Sequence, residues 1–100
     1  LTAEEPTEML GKYGRMRQRY LEQHKPILFQ TMLLNGELTA HLREIDQAAN
    51  EQLNSLMQAL AKEAGATEQL KATDQLAWVG LMNSLKAQAE ELILTELVYN

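Results

Sequence analysis

The side chains able to do chemistry in this 100-residue sequence are few, and their spacing excludes more than it offers. His24 and His41 are the only histidines. His41 shares a helical face with Glu37 and Glu44, a trio that could be drawn as a metal site. A carboxylate-bridged metal bundle, however, takes Glu-x-x-His from two helices together with further carboxylates, and here the order is His-x-x-Glu, once. The trio is therefore read as polar residues exposed opposite Leu42 and Ile45. There is no cysteine, hence no thiolate nucleophile, zinc-thiolate cluster or disulfide. No glycine-rich phosphate loop, no His-Glu-x-x-His and no serine with an evident base occurs. Neither an enzyme nor a bound metal or cofactor is expected.

What remains is charge. Gly11 to Pro26 holds Lys12, Arg15, Arg17, Arg19 and Lys25, five of the nine basic residues, against the single acid Glu22. The whole chain carries a net charge of −5, so this is a basic island in an acidic protein. Residues 1–36 carry five cations and four anions, and residues 37–100 carry four cations and ten anions. Turned at about 100° per residue, the island separates into faces. Met9, Tyr13, Met16 and Tyr20 line one side, while Lys12, Arg15 and Arg19 form a stripe elsewhere. Such a stripe is either a solvated helix face or a contact surface for phosphates or an acidic partner.

Arg17 breaks the separation. It projects between Tyr13 and Leu21, where a cation must snorkel, stack on an aromatic ring or meet a carboxylate. Asp46 flanks the apolar positions of a later helix, and Asp74 and Glu96 lie on the face of Trp78. A semi-buried ion pair of Arg17 with Asp46 or Asp74 is expected to fix how the helices dock. Trp78 is expected in the core.

The elements that must position these residues are all helical. Leu, Ile, Met and Ala supply the core of a chain poor in aromatics, and they favour helix over strand. Residues 1–7 are expected to be a disordered lead-in, with Thr7 capping a helix over 8–24. Pro26 then suits the first turn of a second helix over 26–35, since Lys25 before it resists the α conformation. That helix is apolar almost all round and is expected to be buried. Asn35-Gly36 marks a turn. Leu38, Leu42, Ile45, Ala49, Leu53, Leu56 and Leu60 draw one stripe along a third helix, 38–64, closed by Gly65. Thr67 caps a fourth, 67–98, whose stripe is Trp78, Met82, Leu85, Ala89 and Leu92. The short link around Gly65 makes the two long helices antiparallel neighbours. The expected fold is a single all-α domain over 1–100, a long antiparallel hairpin packed against two shorter N-terminal helices in a bundle-like arrangement. Its apolar end, Leu92 to Tyr99, should be buried by those helices or by a second copy. No run of the sequence is apolar enough to span a membrane, and a cytoplasmic protein is expected.

The run Gly-Lys-Tyr-Gly-Arg-Met-Arg-Gln-Arg-Tyr-Leu of residues 11–21, with His24-Lys25-Pro26, Asn35-Gly36-Glu37-Leu38, Ala40-His41-Leu42, Glu44-Ile45-Asp46 and Ala77-Trp78-Val79, resembles the TnpV family of transposon-encoded proteins. The resemblance covers about residues 11–99. It implies a place on mobile elements of Firmicutes and brings no reaction with it. The family usually carries a further N-terminal segment with a start methionine, whereas this sequence opens at Leu1, so a trimmed chain is expected. Together these readings give a non-enzymatic accessory protein of a mobile element that binds DNA, or a recombinase of the same element, through Lys12, Arg15 and Arg19. The alternative is a helical interaction module or homodimer that binds no nucleic acid. A winged-helix mode is disfavoured by the lack of strands for a wing. A helix-turn-helix around Asn35-Gly36 would open its reading helix with Glu37, where phosphates must approach.

Overall fold

The computed structural model describes residues 10–100, so the expected lead-in and the Thr7 cap lie outside the described part, while the helix expected over 8–24 starts only at Lys12, after an extended Gly11 (φ −78°, ψ −173°). The helices are α1 (Lys12–His24), α2 (Pro26–Leu34), α3 (Leu38–Ala64), α4 (Glu68–Thr73) and α5 (Gln75–Ile93), followed by a π-helical turn, Leu94–Val98. No strand occurs among the described residues, and the fold is all-α.

The boundaries follow local chemistry. Lys25, held before proline, leaves the helical region (φ −136°, ψ 60°), and Pro26 opens α2 where its missing N–H costs nothing. Gly36 and Gly65 are the two described residues with positive φ, and each closes a helix in the same way. The Glu37 N–H donates to the Met32 carbonyl at 2.9 Å, and the Ala66 N–H to the Ala61 carbonyl at 2.9 Å, the wide closing bond that a left-handed glycine makes possible. The Thr67 hydroxyl accepts from the Leu70 N–H at 3.1 Å and caps α4.

The expected continuous helix 67–98 is interrupted. Asp74 adopts φ −148° and ψ 82°, and its carboxylate accepts from the Ala77 N–H at 3.1 Å, so a short polar side chain starts a new helix inside the run. Near the other end the backbone widens, with the Tyr99 N–H bonded to the Leu94 carbonyl at 2.7 Å.

The molecule measures 57 × 24 × 18 Å, a rod. The 27 residues of α3 extend about 40 Å, whereas the 13 of α1 reach only about 20 Å, so α1 covers one half of the hairpin. Both clusters of buried residues lie in that half. Leu10, Leu21, Leu38 and Leu42 form one, joined by Tyr20, Phe29 and Met32. Tyr13, Ala49, Ile93 and Val98 form the other, joined by Met16, Ile45, Leu53, Leu94 and Leu97. Between Asn50 and Ser84 no residue is buried.

Three expectations about burial change accordingly. Trp78 is half-buried and lies under the Lys71 ammonium, 4.8 Å from the ring centroid, because no third helix reaches that far. In α2 no residue is buried, since it rests only Phe29 and Met32 on the base of the fold. At the apolar end Ile93 and Val98 are buried, but Leu92 and Tyr99 remain exposed. No helix among the described residues is long and apolar enough to cross a membrane.

Candidate functional site

The basic helix α1 is the element around which polar contacts gather, and its inner and outer faces do different things. Its first turn has no capping side chain of its own. Instead Asp46, from the middle of α3, accepts from the Gly14 N–H at 3.0 Å, supplying a carboxylate where the exposed amides and the positive end of the helix dipole favour one. This contact explains two glycines at i and i+3. A Cβ on Gly11 would stand 2.6 Å from Asp46 Oδ2, and one on Gly14 would stand 3.1 Å from the Leu42 carbonyl oxygen. Any larger residue at Gly11 would push the cap away.

One turn along, Tyr13 and Lys12 converge on α5. The Tyr13 hydroxyl donates to Glu90 Oε2 at 2.7 Å and Lys12 Nζ to the same oxygen at 2.6 Å. Burial, then the bond to Glu90, pushes the Tyr13 pKa up to about 12. The bonds from Lys12 and then Tyr13 hold the Glu90 carboxyl below its usual range.

Arg17 is 7% exposed, on the core side as its position requires. Its partners are not the expected ones. Nη1 donates to the Val98 carbonyl at 3.1 Å and to the Asn100 carbonyl at 2.9 Å. Nε donates to His41 Nε2 at 3.2 Å, so His41 presents an unprotonated nitrogen there. The guanidinium carbon also lies 5.7 Å from the Tyr20 ring centroid. The expected ion pair with Asp46 or Asp74 is replaced by this carbonyl clamp, because both acids are occupied elsewhere as caps, Asp46 on α1 and Asp74 on α5. Burial, followed by the Arg17 charge, lowers the His41 pKa, with Glu44 opposing.

The outer face carries the predicted stripe. Lys12, Arg15 and Arg19 are exposed, on the side of α1 away from Tyr13, Gly14, Arg17 and Leu21, the buried residues of that helix. Beside Arg19 an open cleft of about 370 Å³ is lined by Met16, Tyr20, Gln23, His24 and Tyr99. Its rings touch, Tyr20 to His24 at 5.0 Å and Tyr20 to Tyr99 at 5.5 Å between centroids. The structure thus brings the three stripe cations onto one face, with Lys12 shared with Glu90, and keeps Arg17 apart from them on the buried side.

Sequence reasoning missed Asp46 as the cap of a helix 32 residues earlier. The signal was present: a helix opening on Gly-x-x-Gly with no Ser, Thr or Asp at its start must take its cap from outside. It also missed the carbonyls of Val98 and Asn100, which have no side-chain signature to find.

An all-α hairpin with a basic helix packed across its base defines a small helical protein with a cationic face on its first described helix. The model of the family described as transposon-encoded protein TnpV matches residues 1–98, and the chain belongs to that family. No curated protein and no solved structure matches it.

Proposed function

We propose that this transposon-encoded protein catalyses no reaction and serves its element as an accessory factor that binds DNA through the outer face of α1. The observation that carries the reading is the placement of Lys12, Arg15 and Arg19 together on the face of α1 turned from the core. Rigidity adds to it. The Asp46 cap and the Arg17 clamp pin the first turn and the middle of α1, so the cations stand on a fixed scaffold, as contacts that set a protein's register on phosphates require. The body of the protein is acidic, which restricts contact to this one side and favours a short footprint.

The test is DNA binding measured across a salt series with duplexes from the ends of the element. Phosphate contacts from Arg15 and Arg19, with Lys12 as a third when it exchanges Glu90 for a phosphate, give a log–log slope of about −2 to −3, and replacing Arg15 or Arg19 by Ala should each flatten it by about one unit. Absence of binding at about 50 mM salt refutes the reading. The same face would then dock on an acidic protein, with a recombinase of the element as the first partner to examine.

A further inference from the structure

Two surfaces of the fold are left open, and each has what the other lacks. The first is α2. Its outward ridge runs through Ile27, Thr31 and Leu34, one turn apart along the helix. Ile27 is 81% and Leu34 82% exposed. The Thr31 hydroxyl donates to the Ile27 carbonyl at 2.9 Å, which satisfies it within the helix and leaves its methyl group outward. Nine residues without a charge thus present an apolar ridge about 10 Å long.

The second is a groove of about 560 Å³ between α3 and the end of α5. Leu56, Ala59, Leu92 and Ile93 supply apolar lining, and Glu51 and Glu96 stand among its polar residues. Gln52, Ser55 and Ala59 lie roughly opposite Asp46 around α3, so this is the face turned from α1. Leu92, on one wall, is 49% exposed. From Glu51 to Ala59 the groove follows α3 for about 12 Å, enough to take the ridge of about 10 Å. Its carboxylates suit the positive end of a helix headed by Lys25.

We propose that α2 of one copy docks, ridge first, in the α3/α5 groove of a second copy. Reciprocal docking, each α2 in the partner's groove, closes the pair with two-fold symmetry. The assembly stands independently of DNA binding, since the outer face of α1 takes no part in it.

Sedimentation equilibrium of the full chain tests the proposal, with circular dichroism as the folding control. Wild type should be dimeric at about 0.1 mM. Leu34→Glu, which sets a carboxylate against the apolar lining of Leu56 and Ala59, should be monomeric with unchanged helicity, as should Ser55→Lys, which fills the groove with a long cation. Both positions are exposed, so neither change disturbs the protomer. A mixture of the two variants should associate again, because the carboxylate introduced on α2 of one then meets the ammonium introduced in the groove of the other. Wild type that stays monomeric overturns the proposal, even if α2 binds lipid vesicles or another protein. So does a Leu34→Glu or Ser55→Lys protein that remains dimeric, or a mixture that stays monomeric when each variant alone does.

Discussion

Replacing Arg17 by Ala removes the buried cation that joins α1 to residues 98–100, and its cost can be worked from the bonds it makes. Two donate to main-chain carbonyls and one to His41 Nε2. A hydrogen bond from a charged donor contributes about 1.5 to 3 kcal/mol net, and a buried acceptor left bare costs about 1 to 3 kcal/mol. Relief of the buried charge offsets part of this, and the Asn100 carbonyl can turn to water, so a net loss of about 2 to 4 kcal/mol is expected. With a urea slope of about 2 kcal/mol/M the midpoint falls by roughly 1 to 2 M at constant slope. Arg17→Lys should recover less than half, because an ammonium cannot serve three acceptors spread across one fork. Arg19→Ala, on the exposed face, should stay within about 0.5 kcal/mol. Hydrogen exchange supplies a second readout, with amides of residues 94–99 losing protection in Arg17→Ala before those of α3. Equal midpoint shifts for Arg17→Ala and Arg19→Ala would show that the clamp contributes nothing to stability.

Other consequences follow from the same helix. Asp46→Ala leaves the first turn of α1 uncapped and should cost about 1 to 2 kcal/mol, while Gly11→Ala, whose Cβ would meet the Asp46 carboxylate at 2.6 Å, should destabilise comparably. Combined, the two should cost less than their sum, since both act on one contact, and full additivity in urea melts would refute the shared cap. Tyr13, with its pKa raised to about 12, contributes stability that is complete below the unfolded-state value near 10 and is lost as pH rises from 10 to about 12. A shift of two units is worth at most about 2.7 kcal/mol. Tyr13→Phe should lack that alkaline loss in melts at stepped pH, and a wild type with the same alkaline profile as the variant would refute the assignment.

Much of the fold was legible because it rests on periodic or positional signals. The Leu38-to-Leu60 stripe, Gly36, Gly65 and the Lys25-Pro26 pair are each local, and each appears where local physics puts it. Arg17 was legible only as far as its burial. Helical phase fixes which way a side chain points, but not which of several polar groups meets it, and the carbonyls of residues 98 and 100 carry no sequence mark. The break at Asp74 was visible in principle, because a Thr-Asp pair within a helix offers the backbone a competing acceptor; the apolar stripe across it masked the signal. The exposure of α2 was illegible for another reason. Apolar composition states what a helix requires, whereas cover depends on neighbours, and one chain of this size supplies cover to only half of its own hairpin.

That shortage explains why the polar contacts crowd where they do. α1 is short and opens on a glycine with no capping side chain, a weak helix by propensity, yet it bears the cations on which the proposed DNA contact depends. It is held by three anchors, Asp46 at its start, Glu90 beside Lys12 and Tyr13, and Arg17 on the carbonyls of residues 98 and 100. The free half of the hairpin, with no buried residue from 50 to 84, adds little to this and must open at lower free energy than the base. Exchange rates along α3 should therefore rise from Ala49 toward Ala64. In a dimer seated on the α3/α5 groove the rise should be delayed past Ala59, so one measurement reads both the rigidity of the α1 platform and the cover given to the groove.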